Sequence, residues 1–311
     1  MNRFKADCLY GATGSGKTSQ VGEAAQYIYE KFGKTTRLIS ADGGGYDPLE
    51  PLIKTGIIEV WPIGGWPDLI WALDAACQGW WPEDCFKVGS KLLPPSAELW
   101  KTVGLLAYEG LTSFGDGILL HLEQKKVRLS QDPAYIFTEG QGIYAGSNMS
   151  YYGFVQARLY EFVMKTQMLP VEKVLWTALE GRGEEEGTRV PQYGPSIAGK
   201  KAIGKAGQWF GNMLHLELLV EETGVDKDTK QVKLKAKRVM YLQPHADPLT
   251  KIPFHAKTRV PLAVASELAE YLDPPSLRKL YTLVDELKVK AFEKVSAAIS
   301  KPEAAAVKSQ Q

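Results

Sequence analysis

The sequence predicts an α/β fold: a mainly parallel central sheet flanked by helices, with a β-hairpin extension and a C-terminal helical segment. Three observations carry this expectation. Strand and helix signals alternate through the first 120 residues. A glycine-rich turn, GATGSGKT at 11–18, stands between a strand signal and a helix signal. A continuous apolar run of strand length, residues 103–108, ends on an acid, Glu109.

The elements follow in order. Residues 6–10 (ADCLY) are short and mostly apolar and read as a strand. Residues 18–32 put Val21, Ala24, Ala25, Ile28 and Tyr29 on one side at helical spacing. A buried strand over 36–41 ends in Asp42 and a glycine turn at 43–45. A short helix over 48–54, a strand over 56–63 and an amphipathic helix over 67–77 come next. Residues 79–100, with Pro82, Pro94 and Pro95, read as irregular.

Beyond the strand that ends on Glu109, residues 131–148 read as a loop and 153–169 as a helix. Residues 172–178 (EKVLWTA) read as another buried strand. Residues 180–207 are rich in glycine and charge and read as a long loop, a feature that tends to be functional. Residues 214–222 and 231–242 read as a hairpin around 224–229. Residues 266–300 read as helical, interrupted at Pro274 and Pro275, and 301–311 as a disordered tail. The expected division is a core over 1–261, a helical segment over 262–300 and the tail.

Composition sets the class. The chain of 311 residues can bury a substantial core, and 44% apolar with 23% charged residues is ordinary for a globular protein. The net charge of +1 argues neither for nor against nucleic acid, so any basic surface must be local. Cys8, Cys77 and Cys85 lack metal-ligand spacing and fit idle thiols in a reducing compartment. No leader and no membrane-spanning apolar run is visible, so the expectation is a cytoplasmic protein without a membrane partner. Five of the eight tryptophans fall within 61–81 and read as packing.

The turn at 11–18 has a specific chemistry. Gly11, Gly14 and Gly16 let the backbone curl so that N–H groups of Ala12, Thr13, Gly14 and Ser15 point inward at phosphates. Lys17 adds a point charge, and the Thr18 hydroxyl is placed for Mg²⁺. Strand, glycine loop and helix start together make an anion site suited to a nucleoside triphosphate. Glu109, at the tip of a buried strand, is the expected Mg²⁺ carboxylate. Residues 134–139 (AYIFTE) compete for that role, but Gln131, Asp132, Pro133, Gly140 and Gly142 around them look like a hairpin or loop.

These parts resemble the RecA-like P-loop ATPase core, most of all the minimal RecA-type ATP-binding proteins of bacteriophages. Some of those act in single-strand annealing and recombination. The resemblance runs from about residue 5 to about residue 261. It rests on GATGSGKT, LISADGGGYDP at 38–48, LLAYEGLTSFGDGILLHL at 105–122 and VLWTALEGR at 174–182. It implies ATP and Mg²⁺ as cofactors. It implies that Asp42 activates the attacking water, where RecA has Glu. It implies that Glu109 holds the Mg²⁺ shell, where Asp is usual, and that Thr177 senses the γ-phosphate. In AKTRV at 256–260, Lys257 and Arg259 stand two apart and share one side of an extended segment. The resemblance implies that this pair acts on a neighbour's nucleotide in a head-to-tail ring or filament.

Single-stranded DNA is the expected partner beyond self-association. Lys233, Lys235 and Lys237 alternate with Val232, Leu234 and Ala236, and Arg238 follows. Lys200, Lys201 and Lys205 lie near Tyr193 and Trp209 in sequence, and Tyr135, Phe137 and Tyr144 fall in the earlier loop. Cations beside aromatic platforms suit a single strand. Against this stand the three acids at 184–186, and lysines on an edge strand also guard against aggregation. Two other functions stay open. One is a structural, assembly or loader factor with weak hydrolysis. The other is a small-molecule kinase, with Arg182 and Arg189 on a lid.

Overall fold

The computed structural model describes residues 5–42, 45–64, 68–124, 148–184, 190–197, 200–225 and 232–299. The strands are Ala6–Gly11 (β1), Thr35–Ser40 (β2), Ile58–Pro62 (β3), Trp81–Pro82 (β4), Leu92–Leu93 (β5), Val103–Glu109 (β6), Lys173–Glu184 (β7), Pro191–Pro195 (β8), Asn212–Val225 (β9), Val232–Tyr241 (β10), His245–Ala246 (β11), Pro253–Phe254 (β12) and Tyr271–Leu272 (β13). The helices are Lys17–Phe32 (α1), Glu50–Lys54 (α2), Leu69–Cys77 (α3), Leu99–Thr102 (α4), Leu111–Gln124 (α5), Asn148–Gln167 (α6), Lys200–Trp209 (α7) and Leu277–Ile299 (α8).

Parallel pairing builds the centre in the order β3-β2-β6-β7-β1-β9. Strands buried on both faces read as unbroken apolar runs, which is why β6 was so plain in the sequence. Side chains alternate across the sheet. Cys8, Tyr10, Leu106, Tyr108, Val174 and Trp176 enter one core, with α3, α5, α6 and α7. Leu9, Leu38, Leu105, Ala107 and Leu175 enter the other, with α1 and α8. The result is a mixed α/β fold with a large, mostly parallel sheet between helical layers. β7 lies between β1 and β6.

Antiparallel strands extend the sheet beyond β9 and beyond the far half of β7, while β3 stays an edge. β10 pairs with β9 and β13 pairs with β10. At the other side of β1, the far half of β7 pairs with β8, which carries β12 and β11. Of the tryptophans at 61–81, Trp61 and Trp81 meet edge to face in the core, while Trp71 and Trp80 are exposed. Cys8 and Cys77 are buried and Cys85 half-buried, all as free thiols. Among the described residues, no helix is long and apolar enough to cross a membrane.

Several expectations need correction. Residues 180–207 are not a plain loop: they hold the end of β7, then β8 and most of α7. Ile203, Ala206 and Trp209 recur at helical spacing and are buried, a stripe that the glycines around it obscured. Residues 79–100 contain the small β4–β5 hairpin and the start of α4. The region 266–300 is not helical before Leu277: a 3-10 turn over Leu262–Glu267 and strand β13 precede α8. There β13 is held by pairing with Met240 and Tyr241. The stretch at 134–139, Tyr135, Phe137 and Tyr144, the glycines at 43–44, the acids at 185–186, Arg189 and the tail at 301–311 lie outside the described residues.

Trp176 is the centre of the first core. It stacks on Tyr108 at 4.2 Å between ring centroids and meets Phe114 edge to face. Its indole N–H is buried without a hydrogen-bond partner. Trp176→Ala should lower unfolding free energy by about 3–5 kcal/mol in urea, while Trp176→Phe should lose markedly less. Equal losses in the two variants would contradict this packing.

Candidate functional site

β1 ends on Gly11 and α1 begins at Lys17, so the loop between them is held at both ends by regular structure. Gly11 is required by close packing: a Cβ there would lie 2.3 Å from the Leu216 carbonyl oxygen of β9. Gly16 caps α1 at φ 102°, in the left-handed region that favours glycine. No side chain caps the helix start. Its free N–H groups and the positive end of its dipole are therefore available to an anion.

A cleft of about 790 Å³ opens over this loop, a volume suited to a nucleotide. Thr13, Gly14, Ser15, Gly16, Lys17 and Thr18 form its floor, with Asp42 and Glu109 beside them. The Lys17 ammonium donates to the carbonyls of Gly11 (3.0 Å) and Ala12 (2.8 Å), which leaves its third N–H for a phosphate oxygen. Ser15 Oγ is buried and has no hydrogen-bond partner. An orphaned hydroxyl beside an uncapped helix start fits a phosphate group. Gly11 and Ala12 contribute through these carbonyls and the turn they begin.

The oxygen donors fit a hard cation. Thr18 Oγ1 donates to Glu109 Oε1 at 2.5 Å, so the loop helix and the tip of β6 are joined at one point. Mg²⁺ takes oxygen ligands of this kind. Asp42 stands at the end of β2, next to β6, and accepts a hydrogen bond from Ser113 at 2.6 Å. Its backbone is fixed as well, its N–H donating to Ser40 Oγ and its carbonyl accepting from the Tyr46 hydroxyl.

Charge in the cleft is balanced. Burial lowers the Lys17 pKa, and the carboxylates of Glu109, Asp42 and Glu180 oppose that shift. Burial raises the Glu109 pKa above its ordinary 4.5. The Thr18 hydrogen bond opposes the rise, the Asp42 charge adds to it, and the Lys17 charge opposes it.

Thr177 is placed less directly. It is buried between Leu9 of β1 and Glu109 of β6. β7 does not end there but continues to Glu184, and the β7 residue on the cleft wall is Leu179. Lys257 and Arg259 are elsewhere. Lys257 pairs with Met213, and the Arg259 N–H donates to Asn212 Oδ1 at 2.8 Å. These partners start β9, opposite Asp7 and Cys8, whereas the phosphate loop leaves the other end of β1. The Lys257 ammonium turns inward to the Gly207 carbonyl, and burial, with the Arg259 charge, lowers its pKa.

Sequence reasoning missed one whole wall of the cleft. Lys237, Arg238, Asp273, Pro274 and Pro275 line it. Arg238 reaches back to the Gly14 carbonyl at 3.5 Å and lies against Gly16. Lys237 pairs with Asp273 at 3.6 Å. The lysine stripe is thus divided: Lys235 is exposed, while Lys237 turns to the cleft. The strand also lacks the buried apolar side expected of it there, because Ala236 and its neighbours Leu218 and Val220 are exposed. The Pro274-Pro275 doublet was legible only as a helix break. Gln20 of α1 fixes it, donating to the Pro275 carbonyl and accepting from the Leu277 N–H.

No family model matches the chain, and no curated protein matches it. Among solved structures, the KaiC-like protein PH0186 of the archaeon Pyrococcus horikoshii OT3 is similar at 12% identity and a TM-score of 0.39. The match covers 87% of this chain and 89% of that one. A likeness of that degree carries no argument about the site.

The raised Glu109 pKa has a measurable consequence. The folded chain keeps this proton to higher pH than the unfolded chain does. Its contribution to stability is therefore full below about 4.5 and falls as pH rises through the raised value. In chelator and without nucleotide, Glu109→Gln should be more stable than wild type at neutral pH. The difference should close as pH falls toward 4.5 in denaturant titrations. A difference independent of pH would contradict the assignment.

Proposed function

We propose that the chain binds ATP with Mg²⁺ and hydrolyses it. The observation that carries this reading is the junction of Thr18 and Glu109 in the cleft over the loop at 11–18, with Lys17 and a second carboxylate, Asp42, at the same cleft. Thr18 and Glu109 would hold the metal and its waters, where it would supply positive charge to the phosphates. Backbone N–H groups of the loop and Lys17 orient the phosphates. Asp42, itself positioned by Ser113, orients the attacking water. Arg238 is a cation in cis over the phosphate loop, available to developing charge.

The wider reading is a head-to-tail assembly acting on single-stranded DNA. Lys257 and Arg259 lie away from the chain's own cleft, as residues serving a neighbour would. Lys235 of β10 is an exposed cation. Both ideas rest on the resemblance to phage RecA-type proteins.

Lys17→Ala should weaken ATP binding about 10- to 100-fold, the effect of losing one charged hydrogen-bond donor. Calorimetry reads it, and an unchanged affinity would contradict the site. Arg238→Ala should slow hydrolysis about 10-fold or more while the fold is retained. ATPase activity per subunit should fall on dilution and rise with single-stranded DNA. Flat activity on dilution would remove the trans role of Lys257 and Arg259, and no response to DNA would remove the DNA partner.

A further inference from the structure

Behind the phosphate loop, on the opposite face of the sheet from α1, lies a second group of polar side chains. His215 pairs with Tyr10 of β1, one residue before Gly11. Glu217 is two residues on along β9 and so faces the same side. His245 of β11 comes against them from the sheet extension. One ligand atom from each of these three residues lies within 4.8 Å of the others.

The imidazoles are aimed. His215 Nε2 is 2.8 Å from Glu180 Oε2, and His215 Nδ1 is 3.1 Å from His245 Nε2. A carboxylate can only accept, so Glu180 fixes the proton of His215 on Nε2 and leaves a lone pair on Nδ1. That lone pair points at His245 Nε2, which also lies 3.6 Å from Glu217 Oε2. Without a metal, His245 Nε2 carries the proton and donates to that lone pair, and its other nitrogen, Nδ1, is buried without any hydrogen-bond partner. A His that donates one nitrogen to a carboxylate and turns the other to a shared point is the arrangement of a carboxylate–histidine–metal triad.

The spacing fits a metal. With bonds of about 2.0–2.1 Å, the ligand atoms of a tetrahedral zinc stand about 3.3–3.4 Å apart. Two edges, 3.1 Å and 3.6 Å, bracket that value, and the third lies within 4.8 Å, a gap that a turn of the Glu217 side chain closes. The rings are held in place by stacking. His215 lies 4.8 Å from Tyr10 and 4.3 Å from Phe254, and His245 lies 3.5 Å from Tyr241. His215 is fully buried, while Glu217 keeps 23% of its side-chain surface, which leaves an approach for an ion.

We propose that His215, His245 and Glu217 bind a divalent transition metal of the zinc type, with Glu180 as the orienting partner of His215. The donor set of two imidazoles and one carboxylate excludes Mg²⁺ as its preferred ion, so this site is distinct from that of Thr18 and Glu109. Three protein ligands leave a fourth position for water. The ion ties β11 and β12 to β9 beside the strand that carries the phosphate loop.

The test uses the full chain, stripped with chelator and titrated with Co²⁺ and then Zn²⁺. The proposal expects the intense visible bands of tetrahedral Co²⁺, abolished when Zn²⁺ displaces it at one ion per chain. His245→Gln should remove this uptake, Glu180→Gln should weaken it about 10- to 100-fold, and Glu109→Gln should leave it intact. A wild-type protein that takes up neither ion overturns the proposal: the residues are then a hydrogen-bonded aromatic stack. Uptake that survives His245→Gln or is lost in Glu109→Gln also overturns it. If His245→Gln fails to fold, the wild-type Co²⁺ spectrum decides alone.

Discussion

The hydrogen bond between Thr18 and Glu109 is the interaction on which the site depends. It joins two elements far apart in sequence and separated in the sheet by β7. β6 must end level with the first turn of α1 for the two oxygens to meet. That level is set by parallel register, in which Glu109 stands beside Thr177, and Thr177 beside Leu9. The buried aromatic stack of Tyr108 on Trp176 holds the same two strands together immediately before the junction. Packing in the core therefore fixes the position of a carboxylate at the surface of the cleft.

The C-terminal helix belongs to the same construction. Ser276 donates to Glu23 and accepts from the Lys279 N–H, so it caps α8 while tying that helix to α1. Tyr27 and Lys31 of α1 both bond to Asp285, and Arg278 pairs with Glu30 at 2.9 Å. Leu277, Leu280, Tyr281 and Val284 complete the core beneath α1. α8 is thus a brace for the helix that carries Lys17 and Thr18. Its approach through Asp273, Pro274 and Pro275 supplies a wall of the cleft.

Much of this was legible in the sequence because the signals were local. Two-sided burial makes β6 an unbroken apolar run and β1 and the first half of β7 mostly apolar ones, and the loop at 11–18 is a contiguous string. Asp42 and Glu109 stand out because each follows a strand signal. What was not legible depends on pairing across distance. Nothing local says that Arg238 will fold over Gly14, or that a Pro-Pro break will line a cleft with Gln20 as its anchor. The strand and helix within 180–207 were hidden by glycines, whose low propensity is outweighed by β-pairing and by burial of Ile203 and Trp209. His215 and His245 gave no motif at all, since their meeting requires β11 to return against β9.

The central claim is that Thr18 and Glu109 serve one metal ion. A double-mutant cycle on the Mg²⁺-dependent part of ATP affinity tests it, using Thr18→Ala, Glu109→Gln and the pair. Each single change should remove most of the Mg²⁺ dependence, and the double variant should be no worse than the worse single one. Losses that simply add in the double variant would show that the two residues act independently and would contradict the account.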